Sequence, residues 1–144
     1  MFKLIFLDID GVIKTDYSND NGRDWVNPEL VSRLNDIIAT TGALVVISSV
    51  WRKNHTVCEL REILNEAGFN GTIIGKTGNS SDGVRGHEID DWLMNCQMRY
   101  RDAKFVILDD SSDMDQHMNR LVRTYTYEGL TDKHVDMAIN MLEE

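Results

Sequence analysis

Short, uninterrupted apolar runs separated by helical patterns constrain this chain more than any other feature. The runs are Leu4–Leu7, Leu44–Ile47, Thr72–Ile74, Phe105–Leu108 and, less purely, Leu121–Tyr125. A strand that is apolar on both faces needs cover on both faces, which is the condition of a parallel sheet between helices. The stretches between the runs supply that cover. Asn27-Pro28 is an N-cap with proline at the first helical position, and Leu30, Val31, Leu34, Ile37 and Ile38 share a face that ends before Gly42. Val57, Leu60, Leu64 and Ala67 make a second stripe closed by Gly68. Ile89, Trp92, Leu93 and Cys96 make a third. Thr131 caps a last helix with Val135, Ala138, Ile139 and Leu142 inward, and a short helical segment is expected near Ser112–Asn119. The order βαβαβαβαβα predicts a doubly wound α/β domain with a sheet of about five parallel strands.

Composition narrows the class. The chain of 144 residues is long enough for one domain with a real core, taken here as residues 1–144. Its 24 acidic and 15 basic residues give a formal charge of -9. That argues against a protein that coats nucleic acid or an anionic membrane, while leaving room for a local basic site. Cys58 and Cys96 form no CxxC pair, so neither a zinc site nor a disulfide scaffold is indicated, and reduced thiols in the cytoplasm are expected. The first apolar run is cut short by Asp8, unlike a signal peptide, and no run approaches membrane-spanning length.

In doubly wound sheets, ligands bind beyond the carboxyl ends of the strands, where the strand order reverses. Asp8 follows the first run directly, Ser48 the second, and Asp109 and Asp110 the fourth, so these groups should converge at one sheet edge. The stretch LDIDG then places two carboxylates, Asp8 and Asp10, at the mouth of a buried strand. An isolated DxDG is ordinarily a turn, but here a second acidic pair joins it. A carboxylate can act as a covalent nucleophile toward phosphorus. Asp8 is the candidate to attack, Asp10 to protonate the leaving group and then activate water, and Asp109 to help hold Mg²⁺, a hard ion that takes oxygen ligands.

FLDIDGV (Phe6–Val12), VVISS (Val45–Ser49) and FVILDD (Phe105–Asp110) resemble the first, second and fourth motifs of the haloacid dehalogenase (HAD) superfamily. The resemblance implies a three-layer Rossmann-like phosphatase fold that uses Mg²⁺. Asp8 matches its nucleophile and a metal ligand. Asp10 matches the general acid and base, with its backbone carbonyl on the metal. Ser48 matches the phosphate-binding hydroxyl, with Ser49 as the alternative. Asp109 matches a metal ligand, and either Asp110 or Asp113 a second acid. The basic third-motif residue is matched best by Arg85, in GVRGHEIDDWL, with Lys76 of GKTGN as the rival. Arg52, in SSVWR, is within reach of a substrate phosphate, unless it and Trp51 simply pack the start of a helix.

The segments 11–27 and 51–85 are too short for a cap domain, so the resemblance is to capless members. LDIDGV, SSVWR, RGHEI, ILDD and EGLT look most like the HAD domains of Swiss Army Knife RNA repair proteins, and more distantly like the phosphatase domain of phage polynucleotide kinase. That implies a nucleotide or polynucleotide phosphate end as substrate, with Tyr17, Trp25 and the flap around them as further contacts. A small sugar phosphate is the alternative substrate. A dehalogenase would need neither Asp10 nor a metal. A receiver-type phosphoacceptor would carry Asp where Ser48 stands, and an inactive binding module would have lost one of the acids. His55, His87, His117 and His134 lack metal-ligand spacing, the Met94/Met98 and Met137/Met141 pairs read as helix packing, and DYSNDNG lacks the glycine and glutamate of a calcium loop.

Overall fold

The computed structural model describes residues 1–15 and 24–144. Five parallel strands, β1 (Lys3–Leu7), β2 (Leu44–Ile47), β3 (Ile73–Lys76), β4 (Lys104–Asp109) and β5 (Leu121–Arg123), lie in the order β3-β2-β1-β4-β5. The chain winds outward from central β1 through β2 and β3, then crosses back to lay β4 and β5 on the other side. The reversal therefore falls between β1 and β4. Leu7 is in register with both Ile47 and Leu108. Asp8, Ser48 and Asp109, the next residue of each strand path, consequently reach the same edge at the same level.

Four helices cover the sheet: α1 (Pro28–Thr41), α2 (Val57–Glu66), α3 (Arg85–Asn95) and α4 (Asp132–Glu143). Strand alternation sends Ile5, Leu7, Val45, Ile47, Val106 and Leu108 into a core with α1, α2 and α4, and Leu4, Phe6, Val46 and Ile107 into a smaller core with α3. The caps are those the sequence implies. The Asn27 side chain accepts from the Glu29 N–H, Gly42 closes α1 in the left-handed region, and Thr56 with Glu59 forms a capping box. Thr131 caps α4 as expected, with His134 completing the reciprocal box. Among the described residues no cap domain is inserted, and no helix is long and apolar enough to cross a membrane. Cys58 and Cys96 are free thiols.

Three expected elements differ. β3 runs on to Lys76 because Gly75 and Lys76 pair with Val46 and Ile47, the Lys76 ammonium being satisfied by the carbonyls of Arg52 (2.9 Å) and His55 (3.0 Å). β5 stops at Arg123; the Thr124 N–H still donates to the Asp109 carbonyl (3.0 Å), and its hydroxyl donates to the Gly11 carbonyl. The segment expected to be helical near Ser112–Asn119 is a 3₁₀ turn over Asp115–Arg120, interrupted by non-helical dihedrals at His117 and begun by a left-handed Asp115.

Candidate active site

Asp8 is carried past the end of β1 by a ladder-like bond from its N–H to the Leu108 carbonyl (2.9 Å), and Ser48 by one to the Leu7 carbonyl (2.9 Å). The turn that follows Asp8 depends on Gly11. Its φ of 82° lies in the left-handed region, and a Cβ there would collide with the Asp110 carboxylate. That close approach lets Asp110 join Asp8 and Asp109. One carboxylate oxygen from each of the three lies within 4.8 Å of the others. The Thr126 hydroxyl donates to Asp110 Oδ2 (2.8 Å) and steadies it.

Arg85 enters this group from the first turn of α3. Its Nη1 lies 2.5 Å from Asp109 Oδ2 and 3.4 Å from Asp8 Oδ1. The helix is brought in by Gly86, whose N–H donates to the Asp113 carbonyl (2.9 Å) and whose missing side chain admits the Met114 backbone. Asp113 also accepts from the Arg85 N–H through Oδ2 (3.2 Å) and from the Ser111 hydroxyl through Oδ1 (2.6 Å). It thus caps α3 where the helix has no cap of its own, and a carboxylate suits that position. Of the two candidates for the second acid, Asp110 belongs to the cluster and Asp113 to the helix cap. Of the two candidate bases, Arg85 meets the carboxylates, whereas Lys76 is engaged by the carbonyls of Arg52 and His55.

Burial raises the Asp8 carboxyl to about 9, with the neighbouring Asp109 pushing the same way and Arg85 opposing. Burial also raises Asp109, again against the pull of Arg85. Arg85 itself is disfavoured by burial, but Asp109 and Asp8 more than compensate and raise it. Arg85 meets two of these carboxylates in a place where Asp8 is 5% and Asp109 0% exposed. An all-oxygen, acid-rich donor set of this kind fits a hard divalent cation such as Mg²⁺.

Asp10 stands apart from the cluster. Its side chain turns toward Trp51, whose indole Nε1–H donates to Asp10 Oδ2 (3.1 Å). Its side chain is not among the three that gather at the cluster. The two serines also part company. The Ser49 hydroxyl accepts from the Trp51 N–H (3.2 Å), capping a 3₁₀ turn over Val50–Lys53, while the Ser48 hydroxyl is buried with no hydrogen-bond partner among the described residues.

Arg52, placed by the sequence within reach of a substrate phosphate, is turned inward instead. It is 4% exposed, its Nη2 pairs with Glu88 Oε1 (2.9 Å), and its nitrogens donate to the carbonyls of Ser48 (3.3 Å) and Ser49 (3.0 Å) and to Asn79 Oδ1 (3.1 Å). The guanidinium joins the end of β2, the loop after β3 and α3 into one block. Glu88 was invisible as a site residue, although its place three residues after Arg85 in RGHE is the signal: one helical turn puts both on adjacent positions. Trp25 lies beside Lys14, whose Nζ is 5.7 Å from the Trp25 ring centre and 5.4 Å from that of Trp51. Tyr17 and the whole DYSNDNG stretch lie outside the described residues.

A parallel α/β sheet with an acidic cluster, an arginine and a buried serine at its switch point has the layout of the HAD phosphatase-type hydrolases. The sequence matches the family described as the HAD domain in Swiss Army Knife RNA repair proteins over residues 4–135, and the chain belongs to that family. No curated protein and no solved structure matches it.

Proposed function

We propose that the protein is a Mg²⁺-dependent phosphomonoesterase that works through a phosphoryl group carried on Asp8, with the phosphate end of a nucleotide or polynucleotide as substrate. The observation that carries this reading is the cluster of carboxylates, buried Asp8 and Asp109 and half-buried Asp110, beside Arg85 at the switch point. Mg²⁺ held by these three side chains and the Asp10 carbonyl would supply positive charge for the phosphate oxygens.

The chain's own residues divide the remaining work. An oxygen of Asp8 attacks phosphorus and the bond to the leaving oxygen breaks, while Asp10 hands that oxygen a proton. Asp10, now ionised, takes a proton from water. The resulting hydroxide attacks the phosphorus of the acyl phosphate, the Asp8–phosphorus bond breaks, and inorganic phosphate leaves. Arg85 holds Asp8 and Asp109 in place and offers donors to the phosphoryl oxygens. Ser48, with a free hydroxyl at the same edge, is favoured over Ser49 as the phosphate donor, because the Ser49 hydroxyl is taken up in capping. The inward commitment of Arg52 assigns it to support of the site instead of substrate contact.

Family membership supports this substrate class, as does the lack of a cap among the described residues, which leaves room for a phosphate on a large molecule. Trp25 remains available to stack on a base, a contact worth ~1–3 kcal/mol. The test is catalytic efficiency on a 3′- or 5′-phosphorylated oligonucleotide, the matching mononucleotide and a small sugar phosphate, each with Mg²⁺. A preference for the nucleic-acid end supports the reading in full. A preference for the sugar phosphate removes the nucleic-acid part. No hydrolysis of any of them removes the phosphatase.

A further inference from the structure

We propose that Trp51 is a positioning residue for Asp10, its indole N–H fixing the carboxyl group that protonates the leaving oxygen. The inference rests on the phosphatase reading above. The half-buried indole N–H of Trp51 could be met by water or by a backbone carbonyl. Trp51 instead spends its N–H on Asp10 Oδ2, at 3.1 Å.

The indole is held from several sides. Its backbone N–H is fixed by the Ser49 hydroxyl (3.2 Å). Its ring lies nearly parallel to that of His55, with centres 5.5 Å apart and planes inclined by 24°. His55 is locked in turn, Nδ1 meeting the Trp51 carbonyl (2.9 Å) and Nε2 meeting Asp24 Oδ2 (2.6 Å). The Lys14 ammonium stands 5.4 Å from the indole centre. A ring restrained in this way aims its N–H in one direction. With Oδ2 taken up by the indole N–H, one oxygen of the carboxyl group is anchored and Oδ1 is left to face substrate. Beside this carboxyl opens a cleft of about 450 Å³ whose described lining includes Asp10, Lys14, Val50, Trp51 and Lys53. A proton donor must lie within hydrogen-bond reach of the oxygen it serves. The leaving group therefore belongs on this side of Asp10, and Trp51 holds the acid toward it.

The test is a comparison of kcat/KM, which reports the steps through transfer to Asp8, for Trp51→Phe on two substrates. One is a nucleoside monophosphate, whose alkoxide leaving group needs a proton. The other is 4-nitrophenyl phosphate, whose leaving group does not. General acid–base help is worth ~10²–10⁴-fold, and losing its alignment should forfeit about tenfold on the nucleotide and less than about threefold on the nitrophenyl ester. In an Asp10→Asn background the same substitution should add no further loss on the nucleotide, because it acts through Asp10. Replacing Trp51 with 3-benzothienylalanine keeps the bicyclic ring and deletes only the donor, so it separates the hydrogen bond from packing and should give the same split. Equal losses on both substrates, an undiminished loss in the Asp10→Asn background, or full nucleotide activity with the benzothienyl residue would each overturn the inference. Hydrolysis of neither substrate by the unaltered protein would remove the phosphatase reading, and this inference with it.

Discussion

Arg85 begins α3 and Arg52 pairs with Glu88 one turn further on, and the two arginines meet carboxylates in opposite proportions. Arg52 has one acid, Glu88, and a set of carbonyls that engage both of its terminal nitrogens. Arg85 has Asp8 and Asp109 in contact, with Asp110 close behind. The first group is balanced and closed. The second gathers carboxylates where burial disfavours their charge, and the raised Asp8 and Asp109 carboxyls are the sign of it. A balanced buried pair holds a fold together, whereas an unbalanced one is arranged for something that arrives later. The two groups are physically joined, since Glu88 follows Arg85 by one turn, so the closed one fixes the helix that aims the open one.

The comparison breaks most readily at the open group. Asp8→Asn should abolish turnover by several orders of magnitude, because an amide cannot form the acyl phosphate. Yet it should leave the metal-free protein at least as stable as before, since a buried like-charge contact is relieved. Steady-state kinetics and thermal melting in chelator check the two halves, and a destabilised Asp8→Asn would place that residue with the closed group. Asp10→Asn should cost ~10²–10⁴-fold, the usual worth of general acid–base help, most visibly on poor leaving groups.

At the closed group the expected effect is on stability. Arg52→Ala leaves Glu88 buried without its cation and should cost ~3–5 kcal/mol in a denaturant titration. Replacing both Arg52 and Glu88 by apolar residues should recover a substantial part of that. A loss below about 1 kcal/mol for the single variant would mean that the pair is solvated in solution and has the small worth of a surface ion pair.

Stability without metal should also depend on pH. Asp8 titrates near 3.8 when unfolded and about 9 when folded. A raised carboxyl is neutral in both states at low pH, so its contribution is fully present below 3.8 and is lost as pH rises toward about 9. Melting temperature in chelator should therefore fall across that window, with a shallower fall in Asp8→Asn and in the presence of Mg²⁺. A slope unchanged by either would separate Asp8 from the titration.

Much of this was legible in the sequence, for a definite reason. Strands apolar on both faces announced a covered parallel sheet, and residues at the strand ends could be placed at its edge because a parallel sheet brings those ends together. Asp8, Ser48 and Asp109 needed only that argument. What the sequence left open were contacts between segments. Asp110 and Asp113 read alike along the chain, and only the tight turn at Gly11 and the uncapped start of α3 separate them. Arg52 looked free because its partner, Glu88, lies on another element. The indole of Trp51 looked like packing because a donor is recognised only when its acceptor is known. Strand β3 was underestimated because Gly75 and Lys76 break an apolar pattern that backbone pairing tolerates.

The most direct test of the central claim is to look for the phosphoryl group on Asp8. The protein is mixed with a phosphorylated oligonucleotide and Mg²⁺, quenched in acid during turnover, and the peptide containing Asp8 is weighed by mass spectrometry. The account predicts that this peptide carries one phosphoryl group, that the fraction rises in Asp10→Asn as hydrolysis of the intermediate slows, and that the group is absent in Asp8→Asn and in chelator. Turnover with Asp8 never phosphorylated, or phosphoryl transfer undiminished by removal of metal, would contradict it.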